Sequence, residues 1–229
     1  MKYKAVIFDL FGTLVENLSY QEYQDVLMQM ASVLSAPPDK FIRLWFDTGN
    51  ERVTGVFPST VACIEHMCRE LEVPFDDAQI KLAVRIRFGF TARAMTPRPD
   101  AIEVLSHLKS EGYKTALISG CSAEVPGIWK DTPFAPLFDV TVFSCSAGMN
   151  KPDPRIYRLA TGQLAVEPQE CLYVGDGANQ ELTGASQLGM HPVLIRASDE
   201  YYPPADWTDR EQWDGPVISS LKEVLPLLR

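Results

Sequence analysis

Four polar side chains in this chain of 229 residues could do chemistry together. Asp9 follows the apolar run "AVIF", Ser119 follows "TALI", Lys151 opens "KPDPRIY" and Asp176 follows "LYVG". Two carboxylates held side by side repel each other unless a cation lies between them. Hard oxygen ligands of this kind suit Mg²⁺ with retained waters, and a lysine beside them favours a neighbouring anion. These residue types therefore predict a Mg²⁺ site that takes a small anionic substrate.

The four residues can meet only if the runs before them are strands of one sheet. Short apolar runs closed by polar or glycine-containing residues recur as "AVIFDL", "KTALISG", "DVTVFS", "CLYVGDG" and "HPVLIR". Helical patterns such as "RPDAIEVLSHLKSEGY" separate them. This alternation predicts an α/β fold with a parallel sheet covered by helices on both faces. Ligands of such sheets bind outside the carboxyl ends of the strands, where the polar residues are expected.

One long segment interrupts the alternation. From about Glu16 to Met95 the chain shows helical periodicity without convincing strands, in "YQEYQDVLMQMASVL", "STVACIEHMCREL" and "DAQIKLAVRIRF". We expect a core domain of residues 1–15 and 96–229, interrupted by a helical domain of residues 16–95.

A late acidic and aromatic region, residues 198–216, is expected to be a surface loop before a last strand and helix, "VISSLKEVLPLL". Its aromatic residues could line a partner surface, but packing onto the core is the more frequent outcome. They are Tyr201, Tyr202, Trp207 and Trp213.

The overall charge excludes some classes of partner. A net charge of −9 disfavours nucleic acid or an anionic membrane, because either would repel the average surface. No apolar run approaches the length needed to cross a bilayer, and the N-terminal residues lack a signal-peptide pattern, so we expect a cytoplasmic protein.

Five scattered cysteines indicate neither a disulfide framework nor a zinc site. Cys121 follows a strand end, but no particular histidine is positioned to activate it.

The ordered motifs resemble those of the haloacid dehalogenase-like (HAD) hydrolases, a superfamily composed mostly of phosphatases. Asp9 in "FDLFGTL" resembles the nucleophile, Ser119 the phosphate-binding hydroxyl, and Lys151 the charge-neutralising lysine. "VGDGANQE" resembles the acidic metal motif. The resemblance implies a three-layer, Rossmann-like core, and a helical insertion after the first motif resembles the C1-type cap of the family.

The resemblance also implies a mechanism. Asp9 would attack phosphorus in line and form an aspartyl-phosphate, which water would then hydrolyse. Mg²⁺, Ser119 and Lys151 would stabilise charge on the phosphate oxygens, and Gly12 and Gly120 would let the backbone approach it. The implied substrate is a small phosphorylated metabolite.

Two positions depart from the family pattern. Phosphatases of the family usually have a second Asp two residues after the nucleophile, which protonates the leaving alcohol, whereas this chain has Phe11. The backbone carbonyl of Phe11 would still serve as a metal ligand beside Asp9 and Asp176. The second acid of the acidic motif often lies four residues after the first, where this chain has Gln180. A longer spacing also occurs in the family and would place the second acid at Glu181. Glu181 would hold a metal-bound water or, equally, be a helix N-terminal acid favoured by the dipole.

Two other functions fit the same residues. An aromatic residue at position 11 resembles the metal-independent 2-haloacid dehalogenases, in which Asp9 would displace halide from carbon. Those enzymes typically have Asn where this chain has Gly120 and Ala178, and they lack an acid equivalent to Asp176, which favours the phosphatase. A non-catalytic phosphometabolite-binding protein of the same fold is the third possibility, motivated by the missing acid.

The helical segment offers further candidates. A replacement proton donor could be Glu16, Glu51 or His66, although each is more often a solvated helix residue. Arginines of this segment could bind a second anionic group of the substrate. Arg85 and Arg87 are expected to point in different directions, so at most one faces the site. The full set is Arg43, Arg52, Arg85, Arg87 and Arg93.

Overall fold

A computed structural model describes residues 2–17, 19–197, 209 and 212–228. Its sheet has six parallel strands in the order β3-β2-β1-β4-β5-β6. The strands are β1 (Ala5–Phe8), β2 (Lys114–Ser119), β3 (Val140–Phe143), β4 (Cys171–Gly175), β5 (His191–Ile195) and β6 (Val217–Ile218). Each predicted apolar run, including the last short strand, forms one of these strands, so the predicted α/β fold is confirmed.

Helices connect the strands and cover the sheet. Those of the first third of the chain are α1 (Tyr20–Val33), α2 (Pro38–Asp47), α3 (Gly49–Val53), α4 (Thr60–Glu70) and α5 (Asp77–Ala94). The later helices are α6 (Ala101–Ser110), α7 (Glu124–Ile128), α8 (Ser144–Ala147), α9 (Pro154–Leu164), α10 (Glu181–Gln187) and α11 (Val224–Leu227). Among the described residues, no helix is long and apolar enough to cross a membrane.

Alternate side chains of the central strands enter two separate apolar layers, as the two-residue period of a strand requires. Val6 and Phe8 pack on one face, in a cluster that includes residues of α6 and α11. Ala5 and Ile7 pack on the other face, in a cluster that includes residues of α9 and α10. Burial on both faces explains why "AVIF" is apolar at every position and why Asp9, directly after it, marks the strand end.

The segment from α1 to α5 has an apolar cluster of its own. Its buried members include Leu27, Met30, Phe41, Trp45 and Ile64. The chain leaves and re-enters the sheet region at neighbouring points, since Val15 and Pro97 form an antiparallel bridge. These features support the division into residues 1–15 with 96–229 and residues 16–95, which we retain as a proposal.

The late aromatic region is described only in part. Tyr201, Tyr202 and Trp207 lie outside the described residues. Trp213 is half-buried, packs against the α9 and α10 layer of the sheet, and donates its indole N–H to the carbonyl of Pro216 at 3.1 Å. For this residue, packing onto the core is the outcome.

Candidate active site

The carboxyl edge of the sheet gathers all four residues with predicted chemistry. Asp9 directly follows β1, Ser119 ends β2, and Asp176 directly follows β4. The backbone N–H of Asp9 donates to the Val174 carbonyl at 2.9 Å, which continues the β1–β4 pairing to the edge. Lys151 reaches the same edge from the turn before α9, and all four side chains are buried.

Lys151 joins two of the acids. Its Nζ donates to Asp9 Oδ1 and to Glu181 Oε2, each at 2.5 Å. Asp9 Oδ2 accepts a further hydrogen bond from the Thr13 hydroxyl at 3.1 Å. Burial alone would lower the pKa of Lys151, but the carboxylates of Asp9 and Glu181 outweigh burial and raise it. Lys151 therefore remains a fixed positive charge beside the Asp9 carboxylate.

Both carboxylate oxygens of Glu181 accept hydrogen bonds. Its Oε2 also accepts a hydrogen bond from the Tyr173 hydroxyl at 2.7 Å, and its Oε1 accepts one from the Gly177 backbone N–H at 3.0 Å. The sequence predicts two equally favoured roles for Glu181: to hold a metal-bound water, or to be an acid at a helix N-terminus. Glu181 does begin α10, but its contacts give it a further role, which is to orient Lys151 and the acidic loop.

Three acids meet in this small volume. Carboxylate oxygens of Asp9, Asp176 and Glu181 all lie within 4.8 Å of one another. Burial, and after it the nearby charge of Asp9, raises the pKa of Glu181 from 4.5 to about 8. Both effects express the cost of placing several negative charges away from water. The donor set consists of hard oxygen atoms, so these residues fit a divalent cation such as Mg²⁺.

Glycine is required at two positions around this cluster. Gly12 has φ +77°, and a Cβ atom on it would lie 2.6 Å from Asp176 Oδ2. A Cβ atom on Gly120 would lie 2.7 Å from Asn150 Oδ1. Both glycines therefore allow close approach, and the groups that approach them are side chains of the protein. A role toward phosphate stays a prediction.

Two buried polar atoms beside the cluster are unsatisfied. Ser119 Oγ and Asn150 Oδ1 make no hydrogen bond to any residue that the structure describes. A buried donor or acceptor without a partner is costly, so such atoms are expected to bind water or a ligand. For Ser119 this agrees with the predicted contact to phosphate.

A cavity of about 620 Å³ lies between the helical segment and the edge of the sheet. Phe11 lines it from the side of Asp9, together with Gly120 and Asn150. The aromatic rings of Tyr23, Phe46 and Phe90 line it from the helices. The residue that replaces the usual second Asp is therefore part of the wall that a substrate would contact.

Only some candidate residues of the helical segment line this cavity. Arg52 and Arg87 are buried and line the cavity. Arg85 is exposed two positions away from Arg87, which confirms that the two point in different directions. Outside this cavity lie the other arginines, Arg43 and Arg93, and the proton-donor candidates Glu16, Glu51 and His66.

Sequence reasoning missed four residues of the site, Thr13, Glu124, Asn150 and Tyr173. Glu124 and Asn150 line the cavity, and Tyr173 binds Glu181. Glu124 lies shortly after the β2 end and Asn150 directly precedes Lys151. Proximity to a predicted strand end or motif was the available signal for both. Tyr173, inside an apolar strand, gave no such signal.

Comparison with known proteins places this geometry in context. The family model described as haloacid dehalogenase-like hydrolase matches residues 3–189. An (S)-2-haloacid dehalogenase 4A from Burkholderia cepacia is 28% identical, with 98% of this chain and 94% of that protein covered. The dehalogenase is thus similar over nearly its whole length.

Solved structures share the fold. A HAD phosphatase from Thermococcus onnurineus has a TM-score of 0.65 at 22% identity, covering 98% of this chain and 97% of its own. A HAD family enzyme from Bacteroides thetaiotaomicron, solved with magnesium and inorganic phosphate, has a TM-score of 0.64 at 20% identity, covering 87% and 97%. At these identities the likeness concerns the fold alone. The family match, the sheet and the arrangement of Asp9, Ser119, Lys151 and Asp176 together lead to one conclusion: this chain belongs to the haloacid dehalogenase-like hydrolases.

Proposed function

We propose that the protein is a Mg²⁺-dependent phosphatase that acts on a small phosphorylated metabolite through an aspartyl-phosphate on Asp9. The observation that carries this proposal is the convergence of Asp9, Asp176 and Glu181 within 4.8 Å. Lys151 forms ion pairs with Asp9 and Glu181. A divalent ion would offset the remaining repulsion.

Each residue has a role that follows from its contacts. Asp9 is the nucleophile, and Lys151 and the Thr13 hydroxyl hold its two carboxylate oxygens in a fixed orientation. A carboxylate is ionised at neutral pH, so it needs no base to activate it. The unsatisfied Ser119 hydroxyl is available to donate to a phosphate oxygen. Mg²⁺, held by Asp9, Asp176 and the Phe11 carbonyl, would supply positive charge to the transferring phosphoryl group.

Phe11 limits the leaving groups. Phenylalanine cannot transfer a proton, and general acid catalysis is typically worth about two to four orders of magnitude in rate. A leaving group of low pKa, such as the carboxylate of an acyl phosphate, needs no proton. We therefore expect acyl phosphates and aryl phosphates to react faster than simple alkyl phosphates.

A metal-independent 2-haloacid dehalogenase is the second candidate. Phe11 in the cavity wall and the similarity to the Burkholderia cepacia enzyme favour it. A leaving halide needs no proton, so Phe11 would be no disadvantage. Against it stands Asp176, because a third buried carboxylate beside Asp9 and an anionic substrate would be costly without a cation.

One assay separates the candidates. Acetyl phosphate, phenyl phosphate, an alkyl phosphate and 2-chloropropionate are each incubated with the enzyme in Mg²⁺ and in EDTA. Phosphate release that EDTA abolishes supports the proposal, whereas halide release that is indifferent to EDTA supports the dehalogenase. If no compound reacts but phosphate with Mg²⁺ raises the unfolding temperature, the protein is a non-catalytic binding protein.

A further inference from the structure

A buried ion pair joins the helical segment to the sheet region at the cavity. Arg87 of α5 donates from Nε to Glu124 Oε1 of α7 at 3.3 Å, and both side chains are almost completely buried. The rings of Tyr23, Trp45 and Phe90 surround the guanidinium at 4.9, 5.3 and 5.5 Å from their centroids. These contacts fix the position of the Arg87 head group.

Each partner has an unsatisfied atom. Arg87 Nη1, a donor, and Glu124 Oε2, an acceptor, form no hydrogen bond within the described part of the chain. Both residues line the cavity. Leaving a buried charged group partly unpaired is costly, so a polar group of water or of a ligand in the cavity would stabilise the pair.

The chemistry of that partner follows from the charges. Arg87 and Glu124 neutralise each other, so a carboxylate would be repelled by Glu124 and an ammonium group by Arg87. A hydroxyl group both accepts and donates, so hydroxyl groups can bind at Nη1 and at Oε2. Asn150 Oδ1 offers a second unsatisfied acceptor in the same cavity, which suits a further hydroxyl.

Arg52 is the other buried cation of the cavity wall. Its Nη1 donates to the Trp45 carbonyl and to Thr48 Oγ1, the latter at 2.9 Å, and its guanidinium stacks on the Trp45 ring at 4.1 Å from the centroid. Among the described residues it forms no ion pair with a carboxylate. An anionic substrate tail bound at Arg52 is therefore the alternative that an experiment must distinguish.

We propose that Arg87 and Glu124 bind a hydroxyl group on the leaving group of the substrate, so that the enzyme prefers phosphorylated sugars or polyols to phosphate esters that carry a free carboxylate. This inference rests on the proposed phosphatase function. Sugars phosphorylated on the anomeric oxygen also suit Phe11, because the anomeric hydroxyl is more acidic than an ordinary alcohol and leaves more readily without an acid.

Calorimetric titration of the Asp9→Asn variant with Mg²⁺ tests binding without turnover. The ligands are inorganic phosphate, cyclohexyl phosphate, glucose 1-phosphate and 4-carboxycyclohexyl phosphate. We expect glucose 1-phosphate to bind at least about tenfold more tightly than either cyclohexyl compound, since hydrogen bonds to charged groups are being gained. The inference is overturned if 4-carboxycyclohexyl phosphate binds as tightly as glucose 1-phosphate or more tightly. This comparison tests the inference without a substitution at Glu124.

Variants added to Asp9→Asn test the two residues. Glu124→Gln is expected to weaken glucose 1-phosphate binding about tenfold, to strengthen binding of the carboxylated compound, and to leave inorganic phosphate unchanged. Arg87→Gln is compared with Arg85→Gln, an exposed position on the same helix, and only the former should weaken glucose 1-phosphate binding. If both variants at the pair behave like Arg85→Gln, the inference is wrong while the phosphatase proposal stands. If inorganic phosphate with Mg²⁺ binds neither Asp9→Asn nor the wild type, both are wrong.

Discussion

Replacing Glu181 with glutamine is expected to change how the stability of the metal-free protein depends on pH. In the folded protein, burial first and the Asp9 charge second raise the pKa of Glu181 from 4.5 to about 8. Between these values the folded state retains a proton that the unfolded state has lost. The free energy of unfolding contributed by this group is therefore fully present below pH 4.5 and is lost as the pH rises towards 8.

The magnitude follows from the pKa difference. Each pH unit across this window changes the unfolding free energy by about 1.4 kcal/mol. Between pH 5 and pH 7, the wild type should thus lose about 2 to 3 kcal/mol relative to Glu181→Gln. The glutamine also replaces one acceptor of the Lys151 and Tyr173 hydrogen bonds by a donor, which adds an offset that does not vary with pH.

Urea denaturation of both proteins in EDTA, at half-unit steps from pH 5 to pH 8, measures this difference. The reasoning is refuted if the wild type gains stability relative to Glu181→Gln as the pH rises. That result would mean that the Lys151 ion pair dominates and that the pKa of Glu181 is lowered. Adding Mg²⁺ should flatten the dependence, because bound metal favours the ionised carboxylates.

Other substitutions at the site give further expectations. Phe11→Asp should raise the rate of alkyl phosphate hydrolysis by about two orders of magnitude or more, because it restores a proton donor. Phe11→Ala is the control, and a folded Phe11→Asp variant that is no faster would count against the role given to Phe11. Lys151→Met should destabilise the protein by about 3 to 5 kcal/mol in urea denaturation, since it leaves the buried carboxylate of Asp9 without its cation and removes a hydrogen-bond donor to Glu181. A loss below about 1 kcal/mol would contradict the buried pairing. Gly12→Ala should lower the free energy of unfolding by about 1 to 3 kcal/mol and abolish turnover, because φ at this position is +77° and the new methyl group would contact Asp176. An unchanged unfolding temperature would contradict this, since it would show that the turn relaxes without cost.

The sheet and its catalytic edge could be predicted from local sequence. Strands buried on both faces are apolar at every position, so Asp9, Ser119 and Asp176 mark the strand ends where they interrupt or follow such runs. Parallel strands place these ends on one edge, and the structure brings the residues together there. Lys151 could be added because it follows β3 within a short loop.

The wall of the cavity could not be predicted in the same way. Periodicity indicated that Arg85 and Arg87 lie on different faces of α5, but not which face meets the sheet. That depends on how the helical segment packs, and the Arg87–Glu124 contact joins residues 37 positions apart. Glu181 was identified by its spacing, whereas its contact with Lys151 depends on the turn after β4, where Asn179 and Gln180 both have positive φ.

Detection of a covalent phosphoryl group on Asp9 tests the central claim most directly. Enzyme mixed with phenyl phosphate is quenched in acid within one turnover, digested, and examined by mass spectrometry for the peptide that contains Asp9. We expect a phosphorylated Asp9 peptide in Mg²⁺, and none in EDTA or in Asp9→Asn. An unmodified peptide under turnover in Mg²⁺, or an alkyl ester on Asp9 formed from 2-chloropropionate in EDTA, would contradict the account.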